Sequence, residues 1–329
     1  MSLGLSLRPR PPAARSAGLG WWALPALWAL LLTTGCAVQT EALRRMPPAG
    51  LPPQVELSRT PFFSQTEYQC GPAALATALG AVGLNVTPEA LAEQVFLPAR
   101  QGSLQVEMLA AVRRHGAVAT RVPGTLDAVL RELAAGHTVV VLQNLGLSFA
   151  PVWHYAVLVG YDLPDASVLL RSGSTERQSM WLRTFEHTWA RSGYWAFVAL
   201  PPGQWPPTAD ATSVVQAAVG FERVAAPAAA SVVYASALQR FPADLSLAMG
   251  LGNTRHAAGD LRGAEAAFAQ AAAQHDSAPA WINLALTRRE LGDAVGARQA
   301  AARAAQAAER EPAWREAAAA LSAPPAAQP

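Results

Sequence analysis

The proline-rich segment between residues 201 and 207 divides the chain into two parts whose sequence patterns require different folds. Before it, helical periodicity comes first and short apolar runs bounded by turn residues follow, an order typical of an α+β domain. After it, alanine becomes abundant, and alanine has the highest intrinsic helix propensity. The sequence therefore predicts an α+β domain over residues 55–203, an all-α domain over residues 204–322 and a disordered tail over 323–329.

The first part is expected to contain four helices followed by four strands. The predicted helices begin at Cys70, Thr87, Ser103 and Thr125. The predicted strands are residues 138–143, 154–161, 167–171 and 194–200. Because short turns separate these strands, we expect a mostly antiparallel sheet that packs on the helix beginning at Cys70.

The second part carries an internal repeat with an offset of 33 residues. Leu251, Gly259-Asp260, Ala264 and Phe268 recur at this offset as Leu284, Gly292-Asp293, Ala297 and Ala301. The offset is close to the tetratricopeptide period, which predicts about two and a half to three tetratricopeptide-like repeats. Such repeats form a concave surface, which we expect to recruit the substrate or a protein partner. The alternatives are an unrelated alanine-rich bundle and repeats that only cap the first domain.

The first 36 residues have the pattern of a secretory signal rather than of a folded domain. Arginines precede a short apolar run, and small residues ending at Cys36 close it. The ending resembles a bacterial lipoprotein signal, which implies lipidation of Cys36, a membrane anchor and a place in the cell envelope, at the outer membrane facing the periplasm. An ordinary secretory signal and an uncleaved anchor are the alternatives. Residues 37–54 contain paired prolines and are predicted to be an unpacked tether.

Cys70 has the sequence context of a catalytic thiol. The chain has two cysteines, so lipidation of Cys36 would leave Cys70 unpaired, and a disulfide between them is the alternative. A helix N-terminus and a nearby imidazolium both stabilise the reactive thiolate, and His154 heads a later predicted strand. We therefore predict a Cys70–His154 ion pair, with the Gln65 amide and the Cys70 N–H stabilising the oxyanion. A strand histidine bonded only to backbone is the alternative for His154.

Two motifs carry a resemblance to a known family. They are Gln65 followed at Cys70 by Cys-Gly-Pro-Ala-Ala-Leu, and Trp-His-Tyr-Ala-Val around His154. Together they resemble the papain-like bacteriocin-leader-processing (double-glycine) cysteine peptidases, of peptidase C39-like type. With the signal and the repeats, the arrangement resembles a stand-alone lipoprotein branch of that superfamily. The resemblance implies a papain-like fold and hydrolysis of a peptide or amide bond. It also implies an oxyanion role for Gln65, a nucleophile role for Cys70 and a base role for His154.

The chain departs from the pattern of these peptidases at two points. Gln65 lies five residues before the cysteine, where six is usual, and Gln69 is a rival amide. The family places an Asp or Asn on the strand after the histidine to orient the imidazole. Here Ser172 is the nearest positional match, and Asp162, at the far end of the histidine's own strand, is the alternative.

Composition and spacing argue against other kinds of site. Charged residues make up 15% of the chain and the net charge is +2, which does not indicate a nucleic-acid surface. The histidine and cysteine spacings do not predict a metal site, and no phosphate-binding glycine loop or other cofactor motif is present. The sequence therefore predicts an envelope thiol peptidase that acts on a peptide or protein. The alternatives are a degenerate peptide-binding module, an envelope assembly scaffold and a transferase using the same thiol.

Overall fold

The computed structural model describes residues 37–64 and 69–322. The predicted signal with Cys36, the candidate oxyanion residue Gln65 and the predicted tail lie outside these residues. From Val38 onward the described residues belong to one unit of continuous contacts. Among the described residues, every helix is too short or too polar to span a bilayer.

Most of the strands lie in one antiparallel sheet. The strands are β1 (Gln54–Glu56), β2 (Phe96–Leu97), β3 (Gly102–Ser103), β4 (Val118–Arg121), β5 (Val139–Asn144), β6 (Trp153–Asp162), β7 (Ser167–Ser172), β8 (Thr175–Trp181) and β9 (Ala196–Leu200). The main sheet has seven strands among the described residues, in the order β4-β9-β5-β6-β7-β8, with β1 paired to the end of β6. Strands β2 and β3 form a separate hairpin.

The helices lie before, between and after these strands. Those of the α/β region, defined as residues 54–200, are α2 (Cys70–Ala81), α3 (Pro88–Val95), α4 (Gln105–Arg114), α5 (Leu126–Ala134) and α6 (Leu182–Ala190), and α1 (Val38–Arg45) precedes them. The helical region, defined as residues 211–322, contains α7 (Ala211–Glu222), α8 (Pro227–Arg240), α9 (Leu245–Ala257), α10 (Leu261–His275), α11 (Ala278–Glu290), α12 (Ala294–Arg310) and α13 (Arg315–Ser322). The predicted order of a mixed α and β region followed by a largely helical region is confirmed. Within the α/β region, the predicted order of four helices followed by four strands was wrong, because β4 lies between α4 and α5, and α6 lies between β8 and β9.

Local signals explain where the predicted helices begin and end. The Thr87 hydroxyl accepts a hydrogen bond from Ala90 N at the start of α3, and the Thr125 hydroxyl accepts one from Ala128 N at the start of α5. These N-caps satisfy donors that the first helical turn leaves free. Gly136, with φ of 89°, follows the end of α5, because the left-handed conformation there suits glycine.

Three strands of the main sheet were not predicted. Strands β1 and β4 are too short to show a periodicity. Strand β8 is an edge strand whose residues are mostly exposed and polar, so its sequence lacks the apolar pattern that predicts a strand. Its pairing with β7, rather than its composition, makes it a strand.

Helices cover both faces of the sheet. On one face α2, α3 and α4 form a core that includes Leu75, Leu79, Met108, Val140 and Val157. On the other face α5 and α6 form a second core that includes Leu130, Val141, Leu158, Phe185 and Trp189. Because both faces are buried, β5 and β6 are near-continuous apolar runs. The packing on α2 was predicted, whereas the second helical layer was not.

The sequence repeat corresponds to a repeat of contacts in the helical region. Asp260 Oδ1 accepts a hydrogen bond from Gly263 N (2.9 Å) at the start of α10. Asp293 Oδ1 accepts the equivalent bond from Gly296 N (2.8 Å) at the start of α12. The pairs α9–α10 and α11–α12 are therefore built in the same way.

The helical region shares a core with the sheet. Val118 of β4 packs with Val214 and Phe221 of α7. Nearby, the buried carboxylate of Glu132 accepts a hydrogen bond from Thr208 N (3.0 Å) in the segment that joins the two regions. The two regions are thus in direct contact through apolar side chains.

The prediction that residues 37–54 form an unpacked tether was wrong for the part that forms α1, because α1 is folded against the α/β region. The carboxylate of Glu186 is 1% exposed and accepts hydrogen bonds from Gln39 N (2.9 Å), Thr40 N (2.7 Å) and the Thr40 hydroxyl (2.6 Å). The Gln39 side chain also bonds to Gly124 O and Leu126 N. The free N–H groups at the start of α1 thus find their acceptor in Glu186, which is far along the chain. No local sequence pattern indicates this contact.

Candidate active site

Cys70 lies at the N-terminus of α2, where its sulfur is half-buried against the sheet. Burial raises the pKa of the Cys70 thiol above its ordinary value. Hydrogen bonds from the backbone N–H groups of Tyr155, Gly71 and Cys70 itself act in the opposite direction and lower this pKa. The sulfur is therefore bonded both by its own helix and by the strand that carries the candidate base.

His154 lies near the start of β6. The next residue, Tyr155, carries the backbone N–H group that bonds to the Cys70 sulfur. Its Nε2 lies 2.8 Å from the Ser172 hydroxyl. Since this contact occupies Nε2, Nδ1 is the ring nitrogen that the Ser172 contact leaves free. Burial lowers the pKa of His154 below its ordinary value.

The two pKa shifts oppose the ion pair that we predicted from the sequence. A raised thiol pKa and a lowered imidazole pKa both favour the neutral forms of Cys70 and His154. The resting site therefore favours a thiol beside a neutral imidazole over a preformed thiolate–imidazolium pair. Proton transfer to His154 would then accompany attack on the substrate.

Ser172 is the candidate orienting residue that contacts the histidine. It ends β7 and is held there by its neighbour Arg171, the last residue of the strand predicted over residues 167–171. The buried Arg171 guanidinium donates to Glu176 O (2.6 Å) across the β7–β8 turn and to Thr60 O (3.2 Å) in the segment before α2. Arg171 thereby ties the turn that carries Ser172 to the chain leading to the nucleophile.

The alternative prediction, that Asp162 orients the His154 imidazole, was wrong. Its carboxylate accepts hydrogen bonds from Gln54 Nε2 (2.8 Å) and Asp165 N (3.0 Å). At about 3.3 Å per residue along β6, Asp162 lies roughly 26 Å from His154. Asp162 therefore stabilises the far end of the sheet.

Gln65 lies outside the described residues, so its oxyanion role stays a prediction. Its rival Gln69 is the residue immediately before α2, and its side chain does not cap the helix.

Cys70 and His154 line the same cavity, whose volume is about 1050 Å³. One wall is the segment 100–105, which includes β3 and carries the polar residues Arg100 and Gln105. Another part of the wall is residues 151–153, which lead into His154. The arrangement places a nucleophile and a base in a cleft large enough for several residues of an extended peptide.

Tyr155 is a second residue of the site that the sequence analysis did not single out. Its backbone N–H bonds to the Cys70 sulfur, and its hydroxyl donates to Ser103 O (3.1 Å) in the cavity wall. Burial, followed by the charge of Cys70, raises the pKa of the Tyr155 hydroxyl well above its ordinary value. The position of Tyr155 next to His154 in the Trp-His-Tyr-Ala-Val motif is the sequence feature that could have identified it as a site residue.

In the described part of the chain, we find no group of three or more histidine, cysteine or carboxylate side chains arranged to hold a metal ion.

Comparison with known proteins agrees with this geometry. Residues 58–197 match the model of the Peptidase_C39 like family. This segment is similar to C39-like peptidases. It contains Cys70, His154 and Ser172, and it ends before the helical region. The match supports the resemblance that the two motifs indicated, for less than half of the 329 residues.

Among solved structures, the chain is similar to a protein from Bacillus anthracis described as a C39-like peptidase. The two are 19% identical, the alignment covers 45% of this chain and 97% of the other, and the TM-score is 0.37. A search of curated proteins finds none that matches.

Proposed function

We propose that this protein is a cysteine peptidase in which Cys70 is the nucleophile and His154 is the general base. The observation that carries the proposal is the shared cavity. Cys70 enters it from a helix N-terminus, His154 enters it from β6, and Ser172 bonds to Nε2 of His154. The similarity of residues 58–197 to the Peptidase_C39 like family supports the same reaction class.

The reaction begins when Nδ1 of His154 removes the Cys70 proton as the sulfur attacks the substrate carbonyl carbon. The oxyanion so formed is stabilised by the Cys70 N–H and the Gln65 amide. The imidazolium then protonates the departing amine, the carbon–nitrogen bond breaks and a thioester remains. Water attacks the thioester and gives its proton to His154. The carbon–sulfur bond breaks, the acid product leaves, and the proton returns to Cys70.

Ser172 would stabilise the imidazolium less than an aspartate does. When His154 is protonated, its Nε2–H donates to the Ser172 hydroxyl, which is a neutral acceptor. Loss of the acidic residue lowers kcat by about 10⁴ in serine triads. A thiol is more acidic than a serine hydroxyl and depends less on this charge, so we expect slow turnover rather than none.

The direct test is covalent labelling with an electrophilic peptide, followed by mass mapping of the adduct. We expect one adduct at Cys70 in the purified protein and none in Cys70→Ala. Ser192→Ala is a matched control, because Ser192 lines the same cavity but already bonds to Leu142 O and Trp189 O. An unchanged adduct in Cys70→Ala would contradict the nucleophile assignment.

A peptide-binding module is the second candidate, and two observations favour it. Ser172 replaces the acidic residue, and burial opposes the thiolate–imidazolium pair. This candidate predicts that peptides bind to the cleft while the electrophilic peptide forms no adduct. A transferase, by contrast, would form the adduct and pass its acyl group to an added amine.

The remaining proposals concern location and partners. Lipidation of Cys36 would anchor the protein in the cell envelope, facing the periplasm. The helix pairs α9–α10 and α11–α12, whose repeated caps support a tetratricopeptide-like repeat, would recruit the substrate or a protein partner on the surface that such repeats form.

A further inference from the structure

The loop between β5 and β6 exposes an unusual number of apolar side chains. We call residues 145–153 the apolar loop. Its exposed large apolar residues are Leu145, Leu147, Phe149, Val152 and Trp153. Phe149 is 86% exposed and Trp153 is 53% exposed. Contiguous exposed apolar surface of this kind marks sites of interaction with another molecule.

Polar contacts, rather than burial of its side chains, hold the apolar loop in shape. The Asn144 side-chain oxygen accepts hydrogen bonds from Gly146 N (3.0 Å) and Val152 N (2.9 Å). Arg191 donates to Gly146 O (2.7 Å). A Cβ atom at Gly146 would lie 2.4 Å from Ala150 O, so only glycine permits this close approach. The loop is therefore preorganised while its apolar side chains remain in solvent.

The apolar loop continues directly into the candidate active site. Pro151, Val152 and Trp153 line the cavity that contains Cys70 and His154. The lining segment 100–105 carries mostly polar side chains, so the two lining segments differ in character. A ligand lying in this cleft would contact apolar surface on the side of His154.

We propose that the apolar loop binds apolar side chains of the substrate on the leaving-group side of the cut bond. This inference rests on the proposed function. His154 must protonate the departing amine, so it lies on the leaving-group side. Trp153 and Val152 directly precede His154 in the chain and line the same cavity, and the exposed Phe149 belongs to the same loop. The residues immediately after the cut bond would therefore be Leu, Ile, Val, Met or Phe.

The test compares cleavage of a peptide library, made by digesting denatured cellular proteins, by wild type and by Phe149→Ser/Trp153→Ser. We expect wild type to enrich apolar residues in the first positions after the cut. We expect the double variant to lower the apolar-to-polar ratio by about tenfold or more, since apolar pockets discriminate by roughly 10- to 200-fold. The matched control is Trp181→Ser, because Trp181 is exposed but does not line the cavity, and this variant should keep the wild-type ratio.

A second measurement separates this inference from the proposed function. Cys70→Ala, with and without the two loop substitutions, is used to capture peptides from the same library. If wild type cuts nothing but Cys70→Ala retains apolar peptides through the loop, the peptidase proposal fails and the binding surface stands. If wild type cuts without apolar preference, prefers apolar residues only before the cut, or keeps its preference in the double variant, the inference is overturned.

A membrane-binding loop is the rival explanation. Vesicles of phosphatidylcholine and phosphatidylglycerol would then bind wild type but not the double variant, while the cleavage preferences of the two proteins would be equal. That result would overturn the inference. Unchanged vesicle binding, together with the loss of apolar preference, would support it.

Discussion

The α/β region and the helical region are stabilised by contacts of different sequence separation. Hydrogen bonds around the candidate site join residues that are 18 apart (His154 and Ser172) and 111 apart (Arg171 and Thr60). The caps of α10 and α12 join residues that are 3 apart. The first region depends on a whole sheet in register, whereas each helix pair of the second depends on itself and its neighbours.

In the proposed function, this difference separates chemistry from recognition. The proposed site combines a thiol, an imidazole and a hydrogen-bonding partner, and no local stretch of chain supplies all three here. The repeated helix pairs would supply a recognition surface, and their local construction would let that surface change without disturbing the site. Truncating a buried side chain in each region tests how independent the two regions are.

The largest effect on stability is expected from truncating one buried side chain in each region. Leu75→Ala on α2 should cost about 2–5 kcal/mol and Phe268→Ala on α10 about 3–5 kcal/mol, because both side chains are fully or almost fully buried. Leu75→Ala should also slow labelling of Cys70, which lies on the same helix, whereas Phe268→Ala should not. Urea unfolding and the labelling rate measure the two effects. Equal slowing in both variants would show that the regions behave as one cooperative unit.

A smaller effect is expected where α1 joins the α/β region. Glu186→Ala removes the acceptor for three hydrogen bonds from Gln39 and Thr40 and should cost about 1–3 kcal/mol. Hydrogen exchange of the α1 amides should then become faster. Glu41→Ala is the control, because its ion pair with Arg45 is exposed and is worth only about 0.3–0.5 kcal/mol. Unchanged exchange in Glu186→Ala would mean that other contacts hold α1.

The smallest effect is a shift in pH dependence on replacing Ser172 by an acid. Burial lowers the pKa of His154, so the imidazole is neutral at pH 7 and activity should persist until the pH falls below this lowered pKa. Ser172→Asp places a negative charge beside Nε2 and raises the pKa of His154, so the acidic limb of kcat/KM should move to higher pH. Ser172→Ala removes the hydrogen bond without adding charge and is the control. An acidic limb at the same pH in Ser172→Asp would contradict the assigned contact.

Local interactions determined much of the fold, and the sequence therefore predicted it. Thr87 and Thr125 cap helices through residues three positions away, and such caps are visible in the sequence. Strands β5 and β6 are apolar runs because both of their faces are buried. The offset of 33 residues likewise predicted two similarly built helix pairs.

Part of the candidate site was also predictable from its motifs. Cys70 and His154 were recognised from the residues around them, and they do line one cavity. The sequence indicated Ser172 only by its position, because its contact with His154 depends on the pairing of β6 with β7. The neutral forms favoured by burial were not predictable either, since burial is set by the assembled sheet and its helices.

The sequence by itself determined the boundaries of α2, α3 and α5, the buried strands β5, β6 and β7, the repeat and the identities of the thiol and the imidazole, because each depends on residues close together in the chain. Only the tertiary structure decided the edge strand β8, the docking of α1 on Glu186, the part played by Arg171 and the apolar loop beside His154. These depend on which distant residues meet. A polar side chain such as Glu186 or Arg171 looks the same in sequence whether it faces water or accepts and donates buried hydrogen bonds.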